Sequence, residues 1–168
     1  MPVRPKQIDT AAGTAHANST TEGALKTVTF PANSLQPGVV HHFTGLARLT
    51  VTNSTDTATP RIRFGASATP ASDTEVWAGS AIDAVDDDVV VWDLYVQARD
   101  MDSSSTVLIW GTISPSDASG TGMVSVGKVL TGFDLTAATY LIISLDWSAA
   151  SASDSAQSES AMVTSLVD

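Results

Sequence analysis

The sequence has no cysteine and only three lysines, Lys6, Lys26 and Lys128. The first absence removes disulfide staples, thiol nucleophiles and Cys-ligated metals. The second, with 18 acids against 8 Lys and Arg and a formal charge of -10, removes the basic stripe that a nucleic-acid binder needs. No apolar run approaches the roughly 18 residues of a membrane span. Met1-Pro2-Val3-Arg4-Pro5-Lys6 carries basic residues with no apolar stretch behind them, so it does not read as a secretory signal. Neither a nucleic-acid nor a membrane partner is expected.

Small residues fill the chain instead. Ala, Ser and Thr make up more than a third of it, and mean hydropathy is slightly positive. Small side chains where long charged ones are usual fit surfaces that pack against neighbours, and acidic, lysine-poor surfaces also stay soluble in high salt. A length of 168 residues is that of one domain with a sizeable core. Charge is uneven. Residues 1–30 set Arg4, Lys6 and Lys26 against Asp9 and Glu22, while the remainder is strongly acidic.

Residues 1–23 hold prolines, glycines, Thr and Ala without apolar periodicity and read as an extended N-terminal arm. Period-two alternation starts at Ala24 and stops at Pro31, and Asn33-Ser34-Leu35-Gln36-Pro37-Gly38 has turn chemistry. From about Val39 to Thr52, Val39, His41, Phe43, Gly45, Ala47, Leu49 and Val51 share one face. Arg61-Ile62-Arg63-Phe64-Gly65 is a short strand with its arginines outward. Residues 66–88 read as irregular, interrupted by Val76-Trp77-Ala78. The clearest strand, Val89 to Arg99, turns Val90, Trp92, Leu94, Val96 and Ala98 inward. Strands at Thr106–Ser114, Met123–Leu130, Ala138–Trp147 and about Ala156 to Val167 complete a set of eight. The pattern predicts an all-β fold, an eight-stranded antiparallel sandwich (jelly roll) over 24–168 preceded by the arm; a closed eight-stranded barrel is the structural rival.

Reactive constellations are scarce. His41 and His42 are adjacent, so in a strand they point to opposite faces and cannot chelate one metal together, and His16 stands apart. Asp83, Asp86, Asp87 and Asp88 form the one suggestive polar cluster. Calcium favours such oxygens on a loop, but the spacing is not that of an EF-hand, and a solvated loop capping the next strand is the plainer reading. No Gly-x-Ser-x-Gly elbow and no phosphate-binding loop occurs. Neither an enzyme nor a cofactor is expected, with calcium as the one ion to test.

Four tryptophans could line a sugar groove, but core or interface packing accounts for them better. Trp92 and Trp147 lie on inward rows and Trp77 in the long loop region. Trp110 falls on the row opposite Ile109 and Gly111, facing a partner or a second layer. With Arg4, Lys6 and Ile8 of the arm, Trp110 makes the candidate interface.

Val90-Val91-Trp92-Asp93-Leu94-Tyr95-Val96-Gln97-Ala98-Arg99, Ser105-Thr106-Val107-Leu108-Ile109-Trp110-Gly111-Thr112, and Asp134-Leu135-Thr136-Ala137-Ala138-Thr139-Tyr140 leading to Leu145-Asp146-Trp147-Ser148-Ala149-Ala150-Ser151-Ala152-Ser153-Asp154-Ser155 together resemble a group of tailed-virus (phage-like) virion proteins with a jelly-roll domain. The resemblance extends over roughly 24–167 and includes the Asn33–Gly38 turn and the Arg61–Gly65 strand. It implies a structural virion protein of the capsid decoration (cement) type, on the capsid surface, with the major capsid protein and its own copies, as a homotrimer, for partners. A tail, spike or fibre module binding a host surface or glycan is the alternative. The quoted motifs are structural, so no catalytic residue follows from them.

Overall fold

A computed structural model describes residues 5–9, 13, 15–17, 19–51, 55–83, 88–115, 123–151 and 154–167, with the backbone alone at 5–9 and 165–167. Two antiparallel sheets face each other. Sheet A has the order β1 (Pro5–Asp9), β12 (Ser155–Val167), β4 (Val39–Thr50), β8 (Val89–Ala98), β9 (Ser105–Pro115), β10 (Val124–Phe133), and β2 (His16–Ala17) also pairs with β12. Sheet B has the order β3 (Gly23–Phe30), β11 (Thr139–Trp147), β5 (Thr57–Gly65), β6 (Thr74–Ala78), and β7 (Ile82–Asp83) also lies on β5. The pair β5–β11 in one sheet nests inside the pair β4–β12 in the other. The chain therefore wraps from sheet to sheet as a jelly-roll sandwich does.

Alternation places the core. Val90, Trp92, Leu94, Val96 and Ala98 of β8 are all buried, as are Phe43, Ala47 and Leu49 of β4 and Leu141, Ile143, Leu145 and Trp147 of β11. Burying a large apolar side chain stabilises by about 1.5–3 kcal/mol, so these rows outweigh any surface contact. The eight expected strands are β3, β4, β5 and β8 to β12, and four short ones accompany them. β5 begins at Thr57, ahead of the expected Arg61. Pro60, which lacks an N–H, falls between the β7 partners of Thr57 and Ala58 and the β6 partners of Arg61 to Phe64, so no ladder bond is lost there. The stretch expected to be irregular contains β6 and β7, which pair with β5 and cover its outer edge.

The N-terminal segment lies along sheet A of its own chain. Gln7, Ile8 and Asp9 oppose Val163, Met162 and Ala161, Gly13 N–H donates to the Ser158 carbonyl at 2.8 Å, and His16 opposes Ala156. Backbone hydrogen bonds hold this edge, which explains why no apolar period marks it. The Trp147 indole N–H donates to the His16 carbonyl at 3.4 Å, tying the segment to the core.

Candidate functional site

The outer face of sheet A carries a ladder of rings. His42 on β4 directly opposes Tyr95 on β8, and Tyr95 directly opposes Trp110 on β9. Directly opposed side chains in antiparallel strands sit close enough for their rings to meet. His42 and Tyr95 stack with centroids 4.5 Å apart and planes 5° from parallel, and Tyr95 and Trp110 stack at 5.6 Å and 13°. A 2.7 Å contact between His42 Nε2 and Asp93 Oδ1 fixes the imidazole. The next residue in register after Trp110 is Gly127 on the edge strand β10. Two flanking pairs complete the surroundings, Thr112 with Ser125 and Leu108 with Val129.

The outer face of sheet B is polar and ionic. Arg61 Nε donates to Asp146 Oδ1 at 2.9 Å and Arg61 Nη1 to Glu75 Oε2 at 2.8 Å. Arg63 grips Glu22 with both ends of its guanidinium, Nε to Oε1 at 3.0 Å and Nη2 to Oε2 at 2.6 Å, and Ser144 Oγ also donates to Glu22. Burial alone would raise the Glu22 pKa, but the hydrogen bonds from Arg63 and Ser144 and the charges of Arg63 and Arg61 more than offset it and hold the carboxyl below its ordinary value. Asp146 and Glu75 likewise raise the Arg61 pKa against its own desolvation. Two guanidiniums and three carboxylates thus bridge the start of β3, β11, β5 and β6. The arrangement is a clamp between strands. The arginines point outward as the alternation predicts, but their partners are distant in sequence.

His41 and His42 lie on opposite faces. His41 is buried and meets Phe30 edge-on at 5.4 Å, beside a cavity of about 230 Å³ lined by Val28, Thr29, Phe30, Pro31, Ser34, His41 and Val163. Trp92 and Trp147 are core, and Trp77 packs partly buried against it.

Of the acidic candidates, Asp83 is exposed on β7, and Asp88 is buried with its carbonyl accepting the Leu49 N–H at 2.7 Å. Asp86 and Asp87 lie outside the described residues. Among the described residues no group of three or more His, Asp or Glu is placed to hold a metal. With Asp88 drawn into the β4–β8 junction and Asp83 turned to solvent, melting temperatures with and without EDTA are expected to agree. A fall on chelation would restore calcium to this loop.

Within one chain the described interface candidates lie on separate strands. Arg4 lies outside the described residues; Lys6 and Ile8 belong to β1, and Trp110 to β9, with β12, β4 and β8 between them. Four steps at about 4.8 Å put β1 and β9 roughly 19 Å apart. Sequence reasoning missed Tyr95 and His42 as the neighbours of Trp110, because only strand register reveals that all three share one row.

No family model matches the sequence, and no curated protein matches it. A solved structure of infectious bursal disease virus, Gx strain, aligns with 99% of this chain and 46% of that chain, at 10% identity and a TM-score of 0.26. This chain therefore spans under half the length of that one.

Proposed function

We propose that this chain is a structural virion protein of a tailed virus, a decoration (cement) protein that binds the major capsid protein on the capsid surface and assembles as a homotrimer. The observation that carries this reading is how the side-chain chemistry is distributed. The ionic groups of sheet B are spent tying strands together, whereas the outer face of sheet A carries apolar groups in register beside its His42–Asp93 and Arg48–Glu159 pairs. Leu46 opposes Val91, which is 41% exposed. Apolar groups gathered on one sheet face suit burial against a protein partner. The segments that resemble virion jelly-roll proteins supply β8, β9 and β11, the framework of both sheets. In this reading the chain has no catalytic role and its polar residues serve stability.

The test is reconstitution. Purified protein is expected to rebind capsids stripped of it and to raise their melting temperature, and Val91→Asp is expected to weaken that rebinding. Failure of the wild type to do either removes the decoration role. A tail or fibre module bound to a host surface is the second reading, favoured by the open flank of Trp110. Immunogold labelling of intact particles separates the two, since label on tails alone contradicts a capsid position.

A further inference from the structure

Gly127 has no structural reason to be glycine. Its φ lies outside the left-handed region, where only Gly38, Gly111 and Gly132 are found among the described glycines. A Cβ built at Gly127 meets nothing within 4 Å among the described residues. Glycine weakens a strand interior, and where neither conformation nor packing requires it, close approach of another group is a standard reason for it. Here its consequence is specific. The ladder of His42, Tyr95 and Trp110 steps across the sheet at 4.5 and 5.6 Å, and the next step falls on Gly127. Because the Trp110 plane is within 13° of the Tyr95 plane, one indole face meets Tyr95 and the other faces the space above Gly127. β10 is the sheet edge, so this slot opens both upward and sideways.

The rim selects the occupant. Thr112 and Ser125 bring two hydroxyls to one side, while Leu108 and Val129 line the other, with Val129 54% exposed. A ring with one apolar face and a polar edge fits such a slot. A guanidinium would also stack on the indole, but the carboxylate it would need, Asp93, is bonded to His42 on the β4 side of the ladder. An aromatic or proline side chain would leave the hydroxyl pair unused. The net charge of -10 repels acidic sugars. We infer that the slot between Trp110 and Gly127 binds an uncharged pyranose ring of a glycan, stacked on the indole face. The slot shares the outer face of sheet A with the Leu46–Val91 pair, but its row crosses β8 at Tyr95, four residues from Val91 and about 13 Å away. Filling it therefore leaves that pair untouched, and the inference does not depend on the shell assignment.

The full chain is tested by affinity electrophoresis in gels containing dextran, mannan or galactan, with indole fluorescence as a second readout. At least one polysaccharide is expected to retard the wild type. Gly127→Val, which fills the slot where a side chain has room, is expected to weaken binding by about tenfold or more with a melting temperature no lower than that of the wild type. Trp110→Ala should weaken it similarly. Capsid rebinding by Gly127→Val should match the wild type, so the two assignments fail separately. No retardation of the wild type by any of the three overturns the inference, as does equal binding by Gly127→Val. Loss of self-association in Gly127→Val without a sugar effect would assign the slot to a second copy instead.

Discussion

Glu22→Gln is expected to cost about 3 kcal/mol in urea denaturation near neutral pH, the low end of what breaking a buried ion pair costs. Glu22 and Arg63 keep side-chain exposures of 11% and 16%, so water reaches them a little. The substitution removes the charge and one of the two acceptors of the bidentate grip, leaving the Arg63 guanidinium with a single neutral amide oxygen, Glu75 at 3.2 Å and the Asp73 carbonyl at 3.4 Å. Ser144 Oγ loses a charged acceptor as well. Arg48→Gln breaks a pair with exposures of 51% and 34%, for which a loss within about 1 kcal/mol is expected. If both variants lose equally little, the cluster is ordinary surface charge and not a clamp.

The acid limb gives a second readout. The folded Glu22 carboxyl sits below its ordinary 4.5, so its contribution is complete above that value. It is lost as pH falls through the lowered folded value, because the unfolded chain then binds the proton more readily. Wild-type stability should therefore fall on acidification below about pH 4.5, and the fall should be shallower in Glu22→Gln. Identical slopes would show that other carboxylates carry the acid dependence.

Much of this clamp was half legible in the sequence. Arg61 and Arg63 alternate with Ile62 and Phe64, which puts them on the outer row. Their partners Glu22 and Asp146 stand 41 and 85 residues away from the arginines they bind, and no local pattern links such positions. The same division runs through the fold. β4, β8 and β11 are readable because one face of each meets the core and the other does not, which imposes period two. β1 and β2 make an edge held by backbone bonds, so side-chain identity there is weakly constrained and the segment reads as an arm. β6 and β7 are too short for a period to show. Trp110 was readable as facing away from Ile109, but its place in a ladder, and the emptiness over Gly127, require knowing which strands lie side by side.

Gly111→Ala is expected to destabilise by about 4 kcal/mol, combining backbone strain of about 1–3 kcal/mol with an overpacking cost of similar size. Gly111 has φ +139°, a conformation that L side chains rarely adopt. A Cβ there would lie 2.1 Å from the Asp93 carbonyl oxygen and 2.9 Å from Leu94 Cα. Both atoms belong to the backbone of β8, which pairs with β4 on its other side, so neither can swing away. Relief requires β8 and β9 to separate, and that separation would pull Trp110 off Tyr95. For a chain of this length the loss corresponds to a fall of roughly 10 °C in melting temperature. The near-UV circular dichroism of the ring ladder should weaken with it. Gly127→Ala, one strand away, supplies the control, since it meets open space and should shift melting by no more than about 1–2 °C. If Gly111→Ala melts within that same margin, β8 and β9 have more freedom than their pairing implies, and the ladder is not held by the close approach of these two backbones.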